Sequence, residues 1–343
     1  MTTMMRRWQL TAAGRENLEL VDVPVPKPGP GEILIKVSAA SLNYRDKLLI
    51  DDGFGLPDPQ TEPVTPASDL SGIVAEIGLG VTHFAVGDSV ISTFIPDWID
   101  GVGPGTAREP NGQTLGGTVQ GVLAEYVVLH QDWAVRGPAN LTHVEASTLP
   151  CAGLTAWTAL IERGHLRAGQ KVLVLGTGGV SLFGLQLGLM HGAEVIVVSG
   201  DDRKLARASE LGARHGINRK KEDWVAAVHR LTNDHGADHI LETVGGAHLG
   251  KSLDAAAVTG RISLIGILEG LDVSGNFGAL ARKRVIVEGI QVGHRRGLED
   301  LVRAYGVSGV RPIIDAVYRM DELGSALDHL AQGAFGKVVV ELA

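Results

Sequence analysis

The chain has one cysteine, Cys151, in 343 residues. An internal disulfide is therefore impossible, and so is a cysteine cluster of the kind that holds a structural metal. Long apolar runs are missing too: none approaches the roughly 18 to 20 residues that span a bilayer. Positive charge is not in excess, since the formal net charge is -8 and the pI is near 5.8. Nucleic-acid phosphates and anionic membranes are thus poor partners, and a small-molecule substrate is expected. The opening stretch, 1–8, carries Arg6 and Arg7, but the polar Q-L-T-A-A-G-R-E-N follows where an export signal needs an apolar core. A cytoplasmic location is the expectation. Internal repeats and low-complexity tracts are also lacking.

What is present is apolar material, 44% of residues, in a length that suits two domains. From 18 to 37 apolar residues alternate around V-P-V-P-K-P-G-P-G-E, which predicts strand, rigid turn, strand. G-I-V-A-E-I-G, G-D-S-V-I-S-T and L-A-E-Y-V-V-L predict further short strands. Between the last two, 94–121 is rich in Gly, Pro and Asp without periodicity, and loops of this length are usually functional. After Cys151 the texture changes to K-V-L-V-L, E-V-I-V-V, H-I-L-E-T-V and R-I-S-L-I-G, alternating with helical segments. Such strands, apolar on both faces, predict a parallel sheet covered by helices, a Rossmann-type α/β domain. V-I-V-E-G-I, a helix near 298–305 and G-K-V-V-V-E-L form a final segment expected to return to the first domain.

Within K-V-L-V-L-G-T-G-G-V-S-L-F-G-L-Q-L, a buried strand leads through a glycine turn into a helix. Gly176 and Gly178 fit the first two positions of the dinucleotide fingerprint, with Thr177, Gly179 and Val180 completing the turn and Ser181 standing where a third glycine is usual. Glycines there let backbone amides approach a pyrophosphate. At the end of the second strand an acidic residue would bind the ribose of NAD. This chain has Ser199 and Gly200 instead, followed by Arg203 and Lys204, which suit the 2′-phosphate of NADPH. The competing assignment gives the ribose to Asp201 or Asp202 and leaves the basic pair on a solvated helix face.

The chain resembles the medium-chain dehydrogenase/reductase superfamily, and within it the zinc-free quinone oxidoreductase-like and zinc-type alcohol dehydrogenase-like members. The motifs are A-S-L-N-Y-R-D at 40–46, P-A-S-D-L-S-G at 66–72, L-A-E-Y at 123–126, C-A-G-L-T-A-W at 151–157, L-E-T-V-G-G at 241–246, I-S-L-I-G at 262–266 and F-G-K-V-V at 335–339. The resemblance implies a doubly wound Rossmann domain inserted in a discontinuous, β-rich, GroES-like catalytic domain. Its boundaries would be 1–152 and 281–343 for the catalytic domain and 153–280 for the inserted one. It also implies a homodimer or homotetramer.

Zinc-dependent relatives carry cysteine at the position of Asn43, His-Glu at Ser68-Asp69, and a third ligand at Cys151. One surviving thiol does not build a catalytic zinc site, and the twelve histidines show no ligand spacing, so no metal is expected and Cys151 reads as a small buried residue. The loop at 94–121 would fill the equivalent space. The resemblance further places Thr155, Val244, Gly245, Ile265, Gly266, Phe335 and Lys337 against the cofactor, although Thr155 also suits a helix cap and Ile265 a core position. Arg219 either reaches the 2′-phosphate or is simply exposed. Asn43 and Tyr44 would line the cleft as catalytic residues. Asn43 would bond to ribose or to a substrate carbonyl, and Tyr44 would donate a proton or form a wall. Arg45 and Asp46 read as an ion pair, and Trp98 as part of a lid or the anchor of its loop.

Without a Lewis acid, hydride addition favours acceptors that delocalise charge. The expected activity is NADPH-dependent reduction of a quinone or α,β-unsaturated carbonyl. Alternatives are an alcohol or aldehyde oxidoreductase with an unorthodox metal site, and a non-catalytic NADPH-binding protein.

Overall fold

The alternating residues around the proline-rich turn do form two strands. In the computed structural model, which describes residues 3–56, 60–110 and 113–342, they lie in the first of two units, Met1–Leu154 with Gly293–Ala343. The second unit is Thr155–Val292. In chain order the strands are β1 (Met4–Leu10), β2 (Leu18–Pro24), β3 (Glu32–Leu42), β4 (Asp69–Ile77), β5 (Ser89–Ser92), β6 (Tyr126–His130) and β7 (Ala134–Arg136). Then come β8 (Lys171–Leu175), β9 (Glu194–Ser199), β10 (His215–Asn218), β11 (Ala237–Glu242), β12 (Ala256–Leu264), β13 (Ile286–Gly289), β14 (Ile314–Arg319) and β15 (Lys337–Glu341).

In the first unit β1 and β2 form a separate antiparallel ribbon, and the main sheet runs β14-β15-β3-β4-β5-β7 with β6 also paired to β3. The apolar stretch E-I-L-I-K-V-S-A-A-S-L makes β3 the central strand, bonded to β4, β6 and β15. Its Ile33, Ile35, Val37 and Leu42 enter the core with Leu70, Val74 and Val338. The register of β15 sets Val338 opposite Leu42, and that of β4 sets Asp69 opposite Ser41. Three strand ends therefore converge, bringing Asn43, Asp69 and Lys337 together.

In the second unit the order β10-β9-β8-β11-β12-β13 is parallel throughout. This is the doubly wound arrangement, and the strand order reverses between β8 and β11, where such sheets open a crevice at the carboxyl ends of their strands. Leu173, Ile196, Ile217, Ile240 and Ile262 supply the buried core, as expected for strands covered on both faces.

Two expectations need correction. V-I-V-E-G-I does not belong to the returning segment, because β13 pairs in parallel with β12 and closes the Rossmann sheet. The second boundary accordingly falls after Val292 instead of after residue 280; the short apolar run Val285 to Val287 carries too little periodicity to assign a strand to one sheet or another. The 94–121 segment stays irregular, and its Asn111 and Gly112 lie outside the described residues, as do Met1 and Thr2 of the opening stretch.

Candidate functional site

The carboxyl end of β8 runs into Gly176, whose φ of 79° is open to glycine at little cost. Gly178 follows as the residue capping the helix Gly179–Met190; its φ is -78° and no side chain bonds the first-turn amides. A Cβ built on Gly178 would meet nothing within 4 Å. Neither backbone strain nor packing within the chain demands glycine there. That open backbone leaves room for a ligand to lie close, and the uncapped helix amides beside it offer hydrogen bonds and a favourable dipole to an anion. Thr177 is buried while Gly179 and Val180 are half-buried at the helix start. Ser181, in the third fingerprint position, donates its hydroxyl to the Leu175 carbonyl at 2.7 Å. The close helix-to-sheet approach comes later, at Gly184, where a Cβ would lie 2.4 Å from Leu241 Cδ1, and at Gly188, 2.7 Å from Val195 Cγ2. Sequence reading missed both, although their four-residue spacing on one helix face was the available signal.

At the end of β9, Ser199 is buried and accepts the Asp201 amide at 3.3 Å. The carboxylates that might have served a ribose are engaged locally. Asp201 caps the helix Asp202–Glu210, accepting Arg203 N at 2.8 Å and Lys204 N at 3.3 Å. Asp202 pairs with Lys221 at 2.6 Å and accepts Asn218 Nδ2 at 2.7 Å. The Lys204 side chain is half-buried and Arg203 is exposed, and Arg203 also reaches back to Asp201 at 3.5 Å. Arg219 is exposed and donates its backbone amide to Ser199 O. Lys220, which sequence reading passed over, lays its stem across Gly200, with Cε 2.9 Å from where a Cβ would be. Its signal was position: it stands two residues beyond Asn218, the register partner of Ser199.

At the end of β11, the buried carboxylate of Glu242 organises the turn that follows. Its Oε1 accepts Val244 N at 2.9 Å and Gly245 N at 3.2 Å, and its Oε2 accepts the Ser252 hydroxyl and faces His248 Nδ1 at 2.9 Å. These bonds hold Glu242 below the usual carboxylate range against the desolvation that opposes them. Gly245 has φ of 79°, and a side chain there would strike Gly266 O. Ile265 and Gly266 stand just past the end of β12 instead of within it, half-buried, so Ile265 is not a core residue. Gly176, Ser199, Val244 and Ile265 thus all lie at the carboxyl edge of one sheet. Thr155 is buried inside the helix Leu154–Trp157 and caps nothing.

In the first unit, Asn43 follows β3 and caps the start of the helix Tyr44–Asp52. The Asp46 carboxylate accepts Asn43 N at 2.8 Å, and Arg45 Nη1 approaches its other oxygen at 3.5 Å. Arg45 also donates to Leu115 O at 2.9 Å and lies over the Phe94 ring, tying the irregular loop to this helix. Burial raises the Asp46 pKa to about 6, with Arg45 opposing. Asp69 is also raised by burial, with Lys337 opposing. Asp69 accepts the Ser68 hydroxyl at 2.6 Å and Cys151 N at 3.1 Å. Cys151 is only partly buried by exposed area, yet desolvation and the neighbouring Asp69 push its thiol well up, which makes it a poor thiolate.

Lys337 does not extend outward. It is 2% exposed, and its Nζ donates to Leu42 O at 2.7 Å and to Asn43 Oδ1 at 2.5 Å. Phe335 is likewise buried and donates its amide to Asp315 at 2.9 Å. Tyr44 is 41% exposed, with Lys47 Nζ 6.0 Å from its ring centre. Trp98 anchors its loop: its indole donates to Gly101 O at 3.1 Å and meets His294 edge-on at 5.7 Å.

A doubly wound sheet with a glycine cradle in one unit, and a buried polar cluster in a β-rich unit, are the architecture of a dinucleotide-binding protein. Comparison with known proteins gives the family. The alcohol dehydrogenase GroES-like domain matches residues 29–139, and the zinc-binding dehydrogenase domain matches 179–307. A zinc-type alcohol dehydrogenase-like protein of Schizosaccharomyces pombe is 38% identical over 339 residues, covering 96% of each chain. A solved candidate alcohol dehydrogenase of Sinorhizobium meliloti is 55% identical over the full length of both chains, with a TM-score of 0.96. The quinone oxidoreductase of Coxiella burnetii is 26% identical with a TM-score of 0.81, covering 99% of this chain and 100% of its own. The chain belongs to the medium-chain dehydrogenase/reductase superfamily and is a nicotinamide-dependent oxidoreductase of the alcohol dehydrogenase and quinone oxidoreductase type.

Proposed function

We propose that the protein uses NADPH to reduce quinones or α,β-unsaturated carbonyl compounds, without zinc. One observation carries the cofactor choice. The end of β9 presents Ser199 and Gly200, the nearby Asp201 and Asp202 carboxylates are engaged by their own surroundings, and Lys220 lies across Gly200 with Arg203, Lys204 and Arg219 around it. A 2′-phosphate meets cations there; a 2′-hydroxyl has no carboxylate ready to receive it. Gly176 to Val180 would hold the pyrophosphate, with Thr155, Val244, Gly245, Ile265 and Gly266 towards the nicotinamide end. When bound, the cofactor supplies hydride. Fluorescence titration is expected to give NADPH a lower Kd than NADH by at least about tenfold, and Ser199→Asp should narrow that gap. Equal affinities in the parent protein would refute the assignment.

The family description speaks of zinc, but the donor set does not fit that ion. Among the described residues no group of three or more His, Cys, Asp or Glu side chains is gathered to hold a metal. Asn43 and Ser68 are weak donors for zinc, Asp69 already accepts two hydrogen bonds, and the Lys337 ammonium bonds to Asn43 where a second cation would be repelled. Without a metal, a conjugated acceptor that spreads its developing charge is the favoured substrate, with Asn43 and Tyr44 serving it. Several relatives are alcohol dehydrogenases, which favours a second reading, alcohol or aldehyde oxidoreduction. An assembly of like chains, dimeric or tetrameric, is supported by Phe277 and Ile286, which are 77% and 47% exposed near and on β13, the edge of the parallel sheet.

A further inference from the structure

We propose that Lys337 is a positioning residue, which fixes the Asn43 side chain so that its amide nitrogen is the hydrogen-bond donor to the acceptor's carbonyl oxygen. The inference rests on the functional reading above and deepens it. An ammonium can only donate, so the oxygen of Asn43 has to face it. Lys337 Nζ lies 2.5 Å from Asn43 Oδ1 and 2.7 Å from Leu42 O. Reversing the amide would set NH2 against NH3⁺ in a buried place, so the charge decides the orientation. The register of β15 against β3 holds the pair in place, since Val338 lies opposite Leu42.

The consequence is an amide nitrogen turned away from Lys337. Asn43 is 8% exposed, and its Nδ2 is buried without a hydrogen-bond partner. Asp69 lies near enough for Asn43 to favour its ionised form, but no hydrogen bond of normal geometry forms, and its oxygens accept Ser68 and Cys151. A buried donor with no acceptor is costly, and an incoming oxygen removes that cost. A neutral amide suits a neutral carbonyl oxygen that gains negative charge as hydride arrives. The ammonium on the far side of the amide polarises it and strengthens the N–H as a donor. Lys337 thereby acts through Asn43 and touches no substrate.

The test is a double-mutant cycle in kcat, using NADPH and whichever acceptor the parent reduces fastest from a panel of quinones, enones and aldehydes. Asn43→Ala should lower kcat on the order of 100- to 1,000-fold, the range for loss of one preorganised donor. Lys337→Met should cause a comparable fall with KM for NADPH unchanged. The double variant should be within about threefold of Asn43→Ala alone, because coupled residues lose a shared effect only once. Thermal melts establish that each variant is folded; if Lys337→Met is not, Lys337→Gln, shorter and neutral, replaces it in the cycle. Multiplied losses in the double variant, or parental kcat in a folded Lys337 variant, would overturn the proposal. So would a raised KM for NADPH at unchanged kcat, which would put Lys337 on the cofactor. If simple aldehydes prove the fastest acceptors, the conjugated-acceptor reading fails, while the cycle still decides the role of Lys337.

Discussion

Asp46 is a carboxyl with no exposed surface, facing one backbone amide and a guanidinium at 3.5 Å. Burial lifts its pKa from 3.8 to about 6 in the folded protein. A raised folded pKa means that the native state holds the proton more tightly. Stability from this group is then greatest at low pH and declines as pH rises from about 4 through 6, where the charged form has to be kept buried. Asp46→Asn, which mimics the protonated acid, should leave Tm near the parent's at about pH 3.5, below the unfolded pKa, and raise it at pH 8 by an amount worth roughly 1–3 kcal/mol. Melting curves at the two pH values check this; a variant less stable at pH 8 would mean that the Arg45 contact outweighs desolvation. The sequence showed Arg45 and Asp46 only as adjacent opposite charges. The depth of Asp46, and the turning of Lys337 towards Asn43, depend on how three strand ends from distant parts of the chain register together. No local pattern reports that.

At the scale of elements, the glycine turn and its helix were legible because one local unit carries strand, turn and cap. Long-range packing was not. Gly178 and Gly184 look alike in sequence, but they answer to different demands. A Cβ on Gly178 meets nothing, whereas one on Gly184 runs into Leu241 in the sheet beneath. Gly178→Ala should therefore cost at most about 1 kcal/mol of stability, as a helix-cap change, while weakening NADPH binding tenfold or more. Gly184→Val should do the opposite: it lowers Tm by an amount worth about 1–3 kcal/mol and leaves the affinity of the folded fraction nearly unchanged. Melting curves and cofactor titration on both variants separate the two roles, and identical phenotypes would contradict them. β13 was misassigned for the same reason that Gly184 was missed, since the sheet to which a four-residue strand belongs is set by partners far along the chain.

For the whole molecule, the order of motifs carried the family and the sheet type, because parallel α/β units repeat strand and helix at short range. Chemistry was less legible: the family resemblance implied that Asn43 and Ser68 stand where zinc-dependent relatives carry ligands, but not that an ammonium bonds to that same Asn43. On the function proposed above, hydrogen bonds and the acceptor's own conjugation would stabilise the developing charge, with positioning contributing most of the rate. The most direct test is a steady-state comparison on one protein preparation treated with a chelator. NADPH oxidation by a quinone or enone is measured against NADP⁺ reduction by simple alcohols. The account predicts that the first proceeds after chelation at the untreated rate and exceeds the second by an order of magnitude or more. Efficient alcohol oxidation that disappears on chelation, with no turnover of conjugated acceptors, would contradict it.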